Sequence, residues 1–257
     1  MVMLEAIQIT KYFGGLAAVS GLDLTVRSGE ILGLIGPNGA GKTTVFNMIA
    51  GVHSPTHGKI VFKGEDITSH RPSTITGKRI ARSFQLPILF DSKTVLENML
   101  VAFHLESKPT FWRAIRNDSS TKAREKDILK KAHEILEFVG MSGDMEGRLA
   151  KNLPHGHRKT LGLAMPLATS PELLLLDEPA SGMNPDETTN MMGLIKALRD
   201  KGMTILLVEH NLRVVMGLCD RIVVLNFGKK IAEGSPGEIR ENKEVIEAYL
   251  GVKTDVV

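Results

Sequence analysis

The sequence predicts an α/β protein with a mostly parallel sheet, an N-terminal antiparallel β region and an inserted helical subdomain. Three observations carry that expectation. Short, continuous apolar runs at 31–36, 173–176 and 203–208 have the length and branched composition of strands buried on both faces. Segments of helical periodicity separate the runs, and strands alternating with helices build a parallel sheet. Between about 87 and 160, by contrast, the apolar spacing is helical throughout.

Taken in order, residues 4–9 and 22–27 alternate apolar and polar, as half-buried strands do. The run at 31–36 gives way to a helical pattern over 43–50, closed by Gly51 just past the helix end. Thr94-Val95-Leu96-Glu97 has the form of a capping box, and apolar 95, 96, 99, 100 and 103 trace one helical face. Residues 105–122 are polar and turn-rich. Over 123–139, Ile128, Leu129, Ala132, Ile135, Leu136 and Val139 share one face, opposite lysines and glutamates. Strands follow at 173–176, 203–208 and 222–225. The expected organisation is one domain over 1–257, with an α/β core at 1–86 and 161–257 and a helical subdomain at 87–160.

Bulk numbers exclude several classes. The 257 residues are 24% charged and 42% hydrophobic, which is globular rather than disordered. A net charge of +3 is too weak to argue for nucleic acid. Cys219 is the single cysteine, so no internal disulfide forms, and its expected place is the core. The start, MVMLEAIQIT, carries no basic segment before a long apolar run, so no secretory signal is expected. No apolar stretch approaches the roughly 20 residues needed to cross a bilayer.

Gly36-Pro37-Asn38-Gly39-Ala40-Gly41-Lys42-Thr43 matches the phosphate-binding pattern G-x-x-x-x-G-K-[ST] between a predicted strand and a predicted helix. Glycines let backbone N–H groups curl around an anion, and the helix N-terminus adds positive dipole. Lys42 would reach the β- and γ-phosphates of ATP, and the Thr43 hydroxyl would ligate Mg²⁺. A chance glycine-rich turn is the competing reading, and the strand–loop–helix context opposes it. The core is thus expected to be of P-loop NTPase type. Leu173-Leu174-Leu175-Leu176-Asp177-Glu178 complements this loop: an aspartate ending a buried strand can hold the Mg²⁺ shell, and the next carboxylate can activate water. Taken alone, the two acids could merely start a loop at Pro179. His210 ends another buried run, where ligands of such sheets bind, and is a candidate γ-phosphate sensor.

These motifs, in this order, resemble the nucleotide-binding subunit of ABC transporters over nearly the whole chain. Segments such as GLIGPNGAGKTTVFNMIAG, LLLLDEPASGMNP and IAEGSPGEI are similar to the branched-chain amino acid importer subgroup. The resemblance implies a Q-loop at Gln85, which would help hold Mg²⁺ beside Thr43 and Asp177. It implies an adenine-stacking aromatic at Phe13 (with Tyr12 as fallback) and nucleotide contacts from residues 36–43 and Thr44. It further implies a signature at Leu153, Pro154, His155, Gly156 and His157 that faces a partner's ATP. A D-loop with Ser181 and Asn184 and a switch histidine at His210 complete the set, with Glu178, His210 and Gln85 as the catalytic group. Implied partners are a second ABC ATPase, two membrane permeases and an extracytoplasmic solute-binding protein, with the chain peripheral on the cytoplasmic face.

The signature departs from the family's usual serine-glycine-glycine-glutamine: proline replaces serine and histidines replace a glycine and the glutamine. Losing one hydroxyl to a charged ligand typically costs about 1.5–3 kcal/mol. The expectation is a competent P-loop here, a retuned site for the partner and hence a mixed pair, with a homodimer as the alternative. His155 and His157 are either phosphate contacts when protonated or ordinary surface histidines. Metal binding by the two is disfavoured, since no Cys, Asp or Glu lies between 147 and 171. Pro166 is expected to weaken and kink the helix after the signature. Phe111-Trp112-Arg113-Ala114-Ile115-Arg116 interleaves aromatics with cations, which suits a membrane or permease contact or packing on its own lobe. Competing functions are a soluble ATPase on ribosomes or DNA, opposed by the single P-loop, and a regulatory module without turnover, opposed by Glu178. The transported solute is open at this level: leucine, isoleucine and valine follow from resemblance, with urea, short amides and other amino acids as alternatives.

Overall fold

The computed structural model describes residues 1–83, 88–106 and 119–250, with the side chains of all but 104–106 and 119–122. Two sheets form. β1 (Val2–Phe13), β2 (Leu16–Arg27), β4 (His57–Phe62) and β5 (Glu65–Asp66) make an antiparallel sheet in the order β2-β1-β4-β5. The second sheet has the order β10-β9-β3-β8-β7-β6. It comprises β3 (Ile31–Ile35), β6 (Ile80–Arg82), β7 (Leu173–Asp177), β8 (Thr204–Val208), β9 (Arg221–Asn226) and β10 (Lys229–Gly234). All its pairings are parallel except β10 on β9.

The continuous apolar runs behave as their composition demands. Every residue of β3, β7 and β8 is buried, because helices and the antiparallel sheet cover both faces. One core cluster joins β3, β7 and β8 to the antiparallel sheet through Leu32, Leu175, Leu206 and Phe46. The other face packs helices through Ile35, Leu176, Leu207 and Val224.

The helices are α1 (Lys42–Ile49), α2 (Pro72–Gly77), α3 (Val95–Glu106), α4 (Ser119–Phe138), α5 (His155–Leu167), α6 (Pro185–Asp200), α7 (Leu212–Leu218), α8 (Pro236–Glu241) and α9 (Lys243–Leu250). A third core, of Val95, Met99, Phe103, Ala132, Leu136 and Leu161 among others, binds α3, α4 and α5 into a lobe of their own. α5 runs across position 160 and contributes Leu161 and Ala164 to that lobe.

Three local expectations change. Leu129 stands exposed on α4 rather than on its buried face. α5 is continuous from His155 to Leu167, and Pro166 lies in its last turn, where few helical bonds remain to break. α3 extends through Glu106 and α4 begins at Ser119, inside the stretch expected to be turns; residues 107–118, including the Phe111–Trp112 segment, lie outside the described residues.

Candidate active site

The phosphate loop joins β3 to α1, at the carboxyl end of a central strand. Two of its glycines are fixed by packing as well as by backbone angle. A Cβ at Gly36 would lie 2.1 Å from the Leu225 carbonyl oxygen, and one at Gly41 (φ 102°) would lie 2.5 Å from that of Ala18. Neither carbonyl can yield without breaking β9 or β2. α1 carries no acidic residue in its first turn, so its positive end is left for an anion. Lys42 is buried, and its ammonium donates to the carbonyls of Gly36 at 2.7 Å and Pro37 at 2.9 Å. Burial lowers its pKa, while the charges of Glu178 and Asp177 pull it back up. Thr43 is exposed, and Thr43 and Thr44 line a cleft of about 310 Å³ with Leu16, Ala18 and Phe227.

β7 delivers Asp177 and Glu178 to the same end of the sheet. Asp177 is buried and takes a 2.7 Å ion pair from Arg82 of β6, whose other nitrogen donates to Asn47 of α1 at 2.6 Å. Glu178 adopts φ 48°, which turns the chain sharply out of the strand. Its carboxylate meets His210 Nε2 at 2.7 Å, and its N–H donates to the Val208 carbonyl at 2.8 Å. The base and the switch candidate, 32 residues apart in sequence, are therefore in contact. Between them lies Glu209, only 3% exposed. Burial pushes its carboxyl pKa up against the opposing pull of three backbone N–H donors, and the charge of Glu178 pushes it further.

The predicted signature forms the entrance to α5. Pro154 is the residue before the helix, at φ −55° and ψ 157°, and provides no side-chain cap for the first-turn N–H groups of His155, Gly156 and His157. Gly156 also leaves room for a neighbour: a Cβ there would lie 2.4 Å from Glu187 Oε1 of α6, so a larger residue would displace the Glu187 side chain. His155 Nε2 approaches the Ser181 carbonyl at 3.3 Å, and His157 lines a groove between α4, α5 and α6. Lys159, 5% exposed, reaches back to the Glu178 carbonyl at 3.2 Å and Ser181 Oγ at 3.0 Å. Burial lowers its pKa, and Glu209, Glu178 and Asp177 oppose that. Asn184 caps α6 within this chain, accepting from Glu187 N at 2.9 Å.

Residues 19–181 match the sequence profile of the ABC transporter family, and residues 229–254 match that of the branched-chain amino acid ATP-binding cassette transporter. The chain belongs to the ABC transporter family. It is 40% identical over 250 residues to the high-affinity branched-chain amino acid transport ATP-binding protein BraF of Pseudomonas aeruginosa, covering 97% of this chain and 98% of that one. It is 42% identical over 240 residues to the corresponding LivG protein of Escherichia coli, covering 93% and 94%. A nucleotide-free ATP-binding cassette from an ABC transporter superposes with TM-score 0.85 at 31% identity, covering 98% of this chain and 100% of that one. The ADP conformation of such a cassette gives the same TM-score, identity and coverages.

The protein is an ABC-type ATPase, and its cassette is assembled from distant segments. The fold brings Lys42, Asp177, Glu178 and His210 to one rim of the sheet. Gln85 lies outside the described residues. Phe13 is half-exposed and edge-on to His53, 5.4 Å between ring centres, outside the lining of the phosphate-loop cleft. Arg82, Lys159 and Glu209 were not singled out by sequence. The signal available was weak: Glu209 directly precedes His210, and Lys159 falls on the buried face of α5, where a lysine reads as a surface residue.

Proposed function

We propose that this ABC ATPase energises an importer of branched-chain amino acids from the cytoplasmic face of a membrane. It would pair with a second ABC ATPase beneath two permeases supplied by a solute-binding protein. The observation that carries this reading is the match of residues 229–254 to the branched-chain cassette, with full-length similarity to two transport ATP-binding proteins of that class. Among the described residues no helix is long and apolar enough to cross a membrane, which supports docking to other chains.

The site supports hydrolysis rather than binding alone. Lys42 and the N-terminus of α1 would hold the ATP phosphates. Among the described residues no three acidic, histidine or cysteine side chains form a free-standing metal site. The exposed Thr43 hydroxyl and the Asp177 carboxylate are nonetheless hard oxygen donors of the kind Mg²⁺ takes beside phosphate oxygens. Those two residues, with Gln85, would hold the ion, which would supply charge neutralisation at the phosphates. Glu178 would accept the proton of the attacking water. His210, 2.7 Å from it, would orient that carboxylate and face the γ-phosphate. Pro154 brings no hydroxyl to the partner's nucleotide, so we read the signature as retuned and the pair as mixed.

The test is isolation of the tagged chain from detergent-solubilised membranes of its native host, followed by reconstitution into vesicles. Two polytopic chains and a second ATPase should co-purify, and ATP should drive uptake of labelled leucine that unlabelled isoleucine and valine compete away. Glu178→Gln should lower hydrolysis by about 10²–10⁴-fold with ATP binding retained, the range typical of losing a general base. Ribosomal chains in place of permeases, or unaltered turnover in Glu178→Gln, would overturn the reading. A single ATPase species would overturn the mixed pair.

A further inference from the structure

Glu209 is a carboxylate where packing alone would favour an apolar residue. It directly follows β8, is 3% exposed and sits one residue before His210. Burying a carboxylate is costly unless its oxygens are filled. Here they are filled from two different loops. Oε1 accepts from Ala180 N at 2.8 Å, two residues beyond Glu178. Oε2 accepts from His210 N at 3.1 Å and Asn211 N at 3.4 Å. Asn211 in turn caps α7, its side chain accepting from Arg213 N at 3.0 Å.

We propose that Glu209 is a positioning residue for hydrolysis, stapling the loop that carries Glu178 to the turn that carries His210. The proposal rests on the ATPase reading given above. Lys159 of α5 holds the same loop at the Glu178 carbonyl and Ser181 Oγ. The segment 178–181 is therefore held by both a buried cation from the signature helix and the buried carboxylate that follows β8. The signature helix serves the partner's nucleotide and Glu178 serves this chain's own, so the grip also ties the two sites together through one short loop. The Glu178–His210 contact is a single 2.7 Å pair between side chains. Besides the staple, that pair and the bond from Glu178 N–H to the Val208 carbonyl link the two loops. Misplacing a catalytic group by about 1 Å can cost on the order of 10²-fold in rate.

Neither glutamine nor alanine can replace the carboxylate here. Glutamine offers one acceptor and one donor, and one loop must then face an N–H donor with another. The test is steady-state ATPase of the assembled transporter carrying Glu209→Gln or Glu209→Ala, with ATP binding measured separately. Expected is a fall in kcat of about tenfold or more, with KM and ATP affinity within twofold of wild type. A control, Glu30→Gln, removes a buried carboxylate far from the site and should lower Tm without changing kcat at 25 °C. Should Glu209→Ala not fold, Glu209→Asp keeps the charge, falls one methylene short and reads the same split. Folded variants with wild-type kcat, or with KM and affinity lost in parallel with kcat, would overturn the proposal. An inactive wild-type complex would overturn the functional reading, and this proposal with it.

Discussion

At the scale of single residues, Cys219 illustrates how completely burial decides chemistry. Its thiol is enclosed, 2.8 Å from where a Cβ on Gly33 would stand, and burial, then the charges of Asp220 and Glu209, push its pKa from 9.0 up to about 12. The thiolate is the reactive form, so the folded protein should resist alkylation. We expect no labelling by iodoacetamide at pH 7.5 over an hour and one equivalent on unfolding in guanidinium; prompt stoichiometric labelling of folded protein would contradict this. The unfolded thiol ionises near 9 and the folded one near 12, so this residue's contribution to stability holds below pH 9 and is lost as pH rises towards 12. The expected core cysteine was legible because one apolar-flanked thiol has few other places to go. That Lys42, Asp177, Glu178 and His210 come together was legible, because a phosphate site asks for these residue types at strand ends. Lys159 and Glu209 were not, since a buried charge is recognisable only once its partners, 22 and 29 residues away, are in place.

At the scale of elements, the caps explain what periodicity alone misses. Thr94 and Glu97 form the capping box their spacing predicted, with Thr94 N donating to Glu97 at 2.7 Å and Glu97 N to Thr94 at 3.2 Å. Asn98, fully buried in the same helix, holds the preceding turn through Phe90 and Thr94, a role its polarity concealed. Asn184, expected in a D-loop, also caps a helix. Its side chain and that of Glu187 form a second capping box at the head of α6. The same Glu187 occupies the space beside Gly156, so the cap also sets how closely α5 meets α6. Asn184→Ala should therefore destabilise by about 1 kcal/mol, within the usual range of about 0.5–2 for a lost cap. For a domain of this size that lowers Tm by roughly 2–4 °C, readable by calorimetry. An unchanged Tm would mean that water or Glu187 alone satisfies the helix end.

Across the whole molecule, the two sheets are joined by long-range contacts that set the strand order. The alternation of strands and helices made the fold class legible, yet the strand order was not. β3 pairs with β8 and β9, more than 170 residues later, and no local pattern encodes which buried strand becomes its neighbour. Arg221 is one device that fixes this arrangement. From β9 it donates to Glu30 ahead of β3 at 2.7 and 3.3 Å, to the Thr25 carbonyl of β2 at 2.5 Å, and to Glu233 of β10. One guanidinium thus joins the antiparallel sheet, the phosphate-loop strand and the sheet's antiparallel edge. Glu30 also accepts from Arg27 N at 2.6 Å, so its carboxylate is committed to this place and cannot follow a departing arginine. Arg221→Met keeps the aliphatic length but strands a buried carboxylate, an error that commonly costs about 3–5 kcal/mol. Denaturant unfolding should show that loss. Adding Glu30→Gln to Arg221→Met should restore part of it, because the stranded charge rather than the missing bonds dominates. If the double variant were less stable than the single by the full cost of Glu30→Gln alone, the two residues would be acting independently, and the joint between the sheets would lie elsewhere.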